Sequence, residues 1–183
     1  MKASTKQKLD RLDDSFRDLL KELDGYTDAT LNRVPKEGAW SVFQTMHHLI
    51  LSERMSLNYV KKKLSFEPKL KKAGVGSKMR STLVNNYLRS PFKRKAPTFI
   101  SGENLPKEST FWEVVKAWKT DREELRRYLS ELPKEHFSKE IYKHPFAGRL
   151  SLDGMLSFFQ QHYERHLRQI RRTLRELDAV KVK

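Results

Sequence analysis

Four long stretches in which apolar residues recur every three or four positions constrain the fold more than any other feature of the chain. They lie at about 4–23, 41–64, 110–132 and 151–177. Apolar residues at this spacing line one face of an α-helix, and that face must be buried against another element. No strand pattern persists anywhere in the sequence. The chain is therefore predicted to be all-α, a four-helix bundle that forms a single domain over residues 1–183.

The ends of these helices carry recognisable capping residues. The first three stretches each open with a serine or threonine followed three positions later by glutamine or glutamate, which is typical of a capping box. These pairs are Ser4 and Gln7, Ser41 and Gln44, and Thr110 and Glu113. Gly25 and Pro133 are expected to end the first and third helices, and Asp153 lies in the first turn of the last one, where a negative charge suits the helix dipole.

The connection between the second and third long helices has a different character. A short extra helix is predicted over about residues 78–89. Pro91, Pro97 and Pro106 then interrupt the chain, because proline lacks a backbone N–H and disfavours helix in the preceding residue. The sequence therefore predicts a long, extended crossover between the two halves of the bundle.

The composition excludes several classes of protein. The chain contains no cysteine, so it offers neither a disulfide, nor a thiol nucleophile, nor a thiolate ligand of its own. Its N-terminus lacks the apolar core of a signal peptide, and no apolar run approaches the roughly 20 residues that span a bilayer. We therefore expect no membrane span and a cytoplasmic location.

Positive charge is concentrated in one segment. The formal net charge is +15, and residues 61–95 contain twelve lysines and arginines against a single acidic residue, Glu67. Such a cluster is compatible with binding to nucleic acid or to an anionic surface. The segment lacks the arrangement of a known nucleic-acid motif, so a solvated basic connector is the favoured interpretation and nucleic-acid binding is the alternative.

His162 and His166 are separated by four positions in the last predicted helix. Residues at this spacing differ by about 40° around a helix and lie one turn apart, so both rings can reach one point. The pair could be metal ligands or interior histidines. A metalloprotease of the H-E-x-x-H type, or of the reversed type, is excluded because Tyr163 and Arg165 occupy the positions where each needs its glutamate.

A metal site with an open position would require a third protein ligand. The candidates are His47, His48, His136, His144 and the carboxylates. His47 and His48 are adjacent on the second helix and point about 100° apart, so only one of them is expected to be a ligand. Both lie near apolar stripes, and periodicity does not choose between them.

Two segments resemble signatures of the DinB-like superfamily, which includes metal-dependent thiol S-transferases such as bacillithiol transferase. WSVFQTMHHLILSER places Trp40 and Ser41 at a helix start and His48 eight residues after the tryptophan, followed by leucine. HYERHLRQI supplies His162 and His166, followed by Leu167 and then by glutamine and isoleucine. The segment HPFAGRLSL and the proline-broken crossover are also similar, so the resemblance spans nearly the whole chain.

The resemblance implies a three-histidine site for a divalent metal, zinc or nickel, held by His48, His162 and His166. It implies a thiol S-transferase or hydrolase acting on a small-molecule substrate, with a low-molecular-weight thiol as a cofactor. A non-catalytic protein that binds a metal or another ligand is the alternative, and a homodimer is compatible with the fold. Glu53, Gln44 and Gln169 are candidate polar groups around the site.

Overall fold

The computed structural model describes residues 3–90 and 104–181, and these are mostly helical. Helices α1, α3, α5 and α6 form a four-helix bundle, in which α3 packs against both α5 and α6 while α1 packs against α6. The fold is therefore the all-α bundle that the apolar periodicity predicts. The elements in chain order are α1 (Ala3–Leu23), α2 (Asp28–Asn32), α3 (Val42–Leu64), α4 (Val75–Arg89), α5 (Phe111–Glu131), a 3₁₀ helix (Lys134–Ser138), β1 (Glu140–His144), β2 (Gly148–Ser151) and α6 (Leu152–Lys181).

Two of the three predicted capping boxes are present. Ser41 Oγ accepts a hydrogen bond from the backbone N–H of Gln44, whose side chain accepts one from the backbone N–H of Ser41. Thr110 and Glu113 form the same reciprocal pair at the start of α5. The predicted box at Ser4 is wrong, because α1 already includes Ala3 and Ser4 lies inside its first turn.

The short extra helix is present as α4, and it packs against α6 and β2. It begins at Val75, three residues before the predicted start, and ends at Arg89 as expected. In the predicted crossover, Pro91 and Pro97 lie outside the described residues. Pro106 lies within them, in a stretch without helix that leads to Thr110, the N-cap of α5.

An antiparallel hairpin, β1 with β2, precedes α6 and was not predicted. Its register is irregular between Glu140 and Tyr142, so Ile141 and Tyr142 are both buried. Such a bulge destroys the alternation of buried and exposed residues by which a strand is recognised in a sequence. Gly148 has a φ of 76° at the end of the turn, a conformation that favours glycine.

The apolar core consists of two clusters stacked along the bundle. One joins the hairpin and α4 to the first part of α6, including Phe158 and Phe159. The other joins α2 and the first parts of α3 and α5 to the later part of α6, including Tyr163 and Ile170. The middle of α6 therefore lies where the two clusters meet. No helix in the described ranges is long and apolar enough to cross a membrane.

The part of the basic segment that the structure describes runs from the last turn of α3 through α4. Several of its cations have structural partners. Lys61 pairs with Glu124 of α5, Arg80 pairs with Glu140 of β1, and Arg89 donates to the side chain of Gln161 on α6. These cations tie the connector to the bundle, while residues 91–95 lie outside the described ranges.

Candidate metal centre

Three histidine side chains converge in the middle of the bundle. The Nε2 atom of His162 lies 3.2 Å from Nε2 of His48 and 3.1 Å from Nε2 of His166. One ligand atom from each ring lies within 4.8 Å of the other two. All three side chains are buried, with exposed fractions of 2% for His48, 8% for His162 and 7% for His166. The three histidines named by the sequence resemblance are therefore brought together.

The positions of these residues on α3 and α6 explain why they meet. His162 and His166 lie one turn apart on α6, on the side that faces α3. His48 lies on α3 between Met46 and Leu49, both fully buried in the core. His47 points elsewhere, and its Nε2 lies 2.7 Å from the hydroxyl of Ser109. The structure thus separates the two adjacent histidines that periodicity could not separate.

A chain of hydrogen bonds fixes the protonation of His166. Thr45 Oγ1 donates to the backbone carbonyl of Ser41 at 2.9 Å and can therefore accept from the side-chain amide of Gln169 at 3.3 Å. This orientation turns Gln169 Oε1 toward Nδ1 of His166, 3.1 Å away. An amide oxygen can only accept, so Nδ1 of His166 carries the proton. Its Nε2 is then unprotonated and lies 3.1 Å from Nε2 of His162.

Aromatic rings enclose the three histidines on two sides. Trp40, which is half-buried, has its ring 5.0 Å from that of His48 and 6.4 Å from that of His166. Phe158 stacks on His162 at 5.1 Å, one turn earlier on α6. Apolar walls of this kind limit the access of water and strengthen electrostatic interactions inside the site. Phe158 was not expected at the site, although its spacing of four from His162 placed it on the same face.

Burial controls the charge of the site. It is the largest cause that lowers the pKa of His162 and of His166 well below the ordinary value, and nearby histidines and Arg165 lower both further. The two rings are therefore neutral at physiological pH. Neutral imidazoles are the form that binds a metal ion.

The remaining histidines are not part of this group, although the ring of His144 lies 4.6 Å from that of Phe158. His136 is on the 3₁₀ helix. His144 ends β1, where its Nδ1 accepts hydrogen bonds from the backbone N–H groups of Phe146 and Ala147. His144 is therefore the last residue of a strand, and its ring nitrogen holds the turn that follows.

Two polar residues suggested for the site have other partners. Gln44 takes part in the capping box, and Glu53 is buried in an ion pair with Arg122 of α5. The suggestion that Glu53 belongs to the site is wrong, because burial of its carboxylate requires the arginine beside it.

The donor set fits a transition-metal ion. Three imidazole nitrogens with no thiolate suit zinc, nickel or a related divalent ion, and hard cations such as magnesium prefer oxygen. In a tetrahedral site with Zn–N bonds of about 2.0–2.1 Å, the ligand atoms are roughly 3.3 Å apart. The spacings of 3.1 Å and 3.2 Å are close to that value. His48, His162 and His166 could therefore hold a metal ion.

Comparison with known protein families identifies the family of the chain. A family model of the DinB superfamily matches residues 11–170. The chain belongs to the DinB superfamily. The matched region runs from α1 into α6 and contains all three buried histidines. One DinB-superfamily match therefore spans both the bundle and the histidine centre. No curated protein matches the chain.

Proposed function

We propose that this DinB-superfamily chain binds one divalent metal ion, zinc or nickel, through His48, His162 and His166 and uses it to transform a small molecule. The reaction would be a thiol S-transfer or a hydrolysis. The observation that carries the proposal is the convergence of three buried Nε2 atoms on one point. A divalent ion held there would act as a Lewis acid, lowering the pKa of a thiol or water so that a nucleophile is available near neutral pH.

The charges around the histidines favour an anionic partner. The three ligands are imidazoles and Arg165 adds a positive charge nearby, while no carboxylate is among the groups that shift the pKa of His162 or His166. A divalent ion there would keep its full charge. A thiolate from a low-molecular-weight thiol would offset part of it, and such a thiol must come from outside because the chain has no cysteine.

The metal content of the protein tests this proposal directly. Protein purified without a nickel column is expected to contain about one equivalent of a divalent metal, as zinc sites of this kind hold one ion. His162→Ala is expected to lose it, because His162 Nε2 is the atom that the other two rings both face. Inductively coupled plasma mass spectrometry measures the metal, and circular dichroism confirms that the variant is folded.

His136→Ala is the matched control, since this histidine lies outside the centre and should leave the metal content unchanged. A parent protein that is empty and takes up neither zinc nor nickel would overturn the metal proposal. Metal-loaded protein is then assayed for transfer of a small thiol to an electrophile. True turnover should be abolished by a chelator and by His48→Ala. If the protein binds metal but shows no such turnover, the non-catalytic alternative is favoured.

Gln169 is expected to tune the affinity for the metal. Gln169→Leu removes the oxygen that holds the Nδ1 proton of His166, which should weaken metal binding by roughly 10–100-fold. Competition with a chromophoric chelator measures the change. Gln160→Leu, the same substitution on α6 at a residue that bonds Glu164, should have no such effect. Equal affinities in the two variants would show that Gln169 does not support the ligand.

A further inference from the structure

A cavity lies on the side of α6 opposite to the histidines. It is bounded by α1, α4 and α6 and has a volume of about 570 Å³. Asp153 and Ser157 line it, and at about 100° per residue they face away from His162 and His166. A smaller cavity of about 190 Å³ adjoins it and shares Lys8, Asn85 and Ser157. We call this continuous space the N-terminal cleft.

Three helices begin at the N-terminal cleft. Its lining includes Ser4 in the first turn of α1, Ser77 and Lys78 near the start of α4, and Asp153 and Gly154 at the start of α6. The first N–H groups of a helix have no partner inside it, and the helix dipole makes this end partly positive. At α4 the N-cap is Gly74, which provides no side-chain acceptor for these groups. At α6 the N–H of Gly154 already donates to Ser151 Oγ at 3.0 Å, so the backbone donors that suit an anion are those at the start of α4.

Polar side chains without partners also face this space. Ser77 has an exposed fraction of 4%, and its hydroxyl has no hydrogen-bond partner among the described residues. The Oδ1 atom of Asn85, on the next turns of α4, is buried and also lacks a partner within the described part of the chain. Buried polar atoms are nearly always hydrogen-bonded in folded proteins. The Oδ1 atom of Asn85 is such a buried atom in the lining of the cavity, and this points to a ligand that supplies the missing bond and can also bond the hydroxyl of Ser77.

The charge of the lining is positive, which suits an anionic ligand. Lys8, Arg11, Lys78 and Arg89 line the two parts of the cleft, and Asp153 is the one carboxylate among their described lining residues. Asp153 is already neutralised by Lys8, whose Nζ lies 2.7 Å from its carboxylate. Lys78 is exposed and forms no ion pair with any described residue. The cleft is thus positive overall, with Lys78 available at its edge.

We propose that the N-terminal cleft binds a phosphate group, free or carried on a small hydroxylated molecule. The start of α4 and Lys78 would hold the phosphate oxygens, while Asn85 and the serine hydroxyls would bond the hydroxyl groups of the ligand. The volume of about 570 Å³ exceeds what a phosphate ion alone fills and lies in the usual range for small-molecule sites. This site is separate from the histidine centre and does not rest on the function proposed for it.

Titration of the full-length protein by two-dimensional amide NMR tests this assignment. The probes are inorganic phosphate and glycerol 3-phosphate at constant ionic strength, with glycerol as the uncharged comparison. We expect saturable shifts of the Gly76, Ser77 and Gly154 amides with either phosphate and none with glycerol. Lys78→Gln should weaken binding by roughly tenfold, since one charge-assisted hydrogen bond is lost. If glycerol 3-phosphate binds more tightly than phosphate, the ligand is a phosphorylated hydroxylated molecule. If the two bind equally, it is free phosphate.

Matched variants separate the cleft from the general positive charge of the protein. Thr82→Glu adds a carboxylate to an exposed lining residue and should abolish binding, whereas Thr82→Gln adds similar bulk without charge and should retain it. Lys62→Gln removes an exposed charge on α3, away from the cleft, and should leave the affinity unchanged. Non-saturable shifts, or equal losses in Lys62→Gln and Lys78→Gln, would overturn the proposal. Tighter binding of a short oligonucleotide at the same amides would also overturn it, in favour of a nucleic-acid partner.

Discussion

Replacing Glu53 with glutamine is expected to lower the free energy of unfolding by about 3–5 kcal/mol, since it leaves a buried arginine without its charge partner. Arg122 donates to both carboxylate oxygens of Glu53, from Nε at 2.5 Å and from Nη2 at 2.8 Å. The two side chains are 6% and 5% exposed. The one other carboxylate in contact with Arg122 is Asp13 of α1, at 3.4 Å and 33% exposed, among the described residues. Urea denaturation followed by circular dichroism measures the change.

The pKa of Glu53 reflects two opposing effects, burial of the carboxyl and the charge of Arg122. Burial, the largest cause, raises the pKa of the carboxyl, while Arg122 opposes that rise. The carboxylate is therefore stabilised by a single strong partner in an apolar setting. Removal of either charge exposes the other to the full cost of desolvation.

Two controls distinguish a buried pair from ion pairs in general. The double variant Glu53→Leu with Arg122→Met removes both charges and should recover most of the lost stability, as a well-packed apolar pair often does. Arg127→Gln breaks the exposed pair with Glu131 on α5 and should cost at most about 0.5 kcal/mol. A Glu53→Gln variant as stable as Arg127→Gln would mean that water reaches Arg122 in solution.

The long helices could be predicted because their signals are local. The apolar stripes of α1, α3, α5 and α6 repeat over many turns, and the capping boxes at Ser41 and Thr110 involve residues three positions apart. The hairpin could not be predicted in the same way. Its strands are five and four residues long, and its bulge places Ile141 and Tyr142 on the buried side together.

The candidate site was predictable to different degrees for different residues. His162 and His166 are linked by a spacing of one helical turn, which any helix would bring together. The choice of His48 over His47 depends on how α3 rotates against α6, and the family signature supplied it where periodicity could not. The link from Gln169 through Thr45 to Ser41 joins two helices, so no local pattern contains it.

Glu53 is a residue for which spacing along one helix suggested the wrong partner. Its position five residues after His48 suggested a polar group near the metal centre, but five positions turn about 140° around a helix and direct it toward α5. There the partner is Arg122, which lies 69 residues away in the sequence. Pairing at that separation is set by the packing of whole helices. A sequence pattern read along one helix does not contain it.

Acidification is expected to destabilise the protein through His144, and His144→Asn should reduce this effect. Burial lowers the pKa of His144 from 6.5 to about 4. A folded-state pKa below that of the unfolded chain means that the unfolded state binds more protons as the pH falls below 6.5, so stability present at neutral pH is lost toward pH 4. The shift corresponds to about 3 kcal/mol, at about 1.4 kcal/mol per pKa unit.

The hydrogen bonds of His144 explain why protonation is costly at that position. Nδ1 accepts the backbone N–H groups of Phe146 and Ala147 at 3.2 Å and 3.1 Å, so the neutral ring carries its proton on Nε2. A second proton must then go to Nδ1, where it would face two donors and break the turn of the hairpin. Because that hairpin leads directly into α6, its loss would loosen the start of the helix that carries His162 and His166.

His144→Asn isolates this contribution, since the asparagine oxygen can accept the same backbone bonds and does not titrate. Urea unfolding of both proteins, with a chelator present, is measured from about pH 7.5 to about pH 4. The parent should lose about 3 kcal/mol more than the variant, because histidines that do not interact with His144 titrate alike in both proteins. Parallel pH profiles would mean that protonated His144 is tolerated in the fold, and the hairpin would then owe its turn to Gly148 and not to the imidazole.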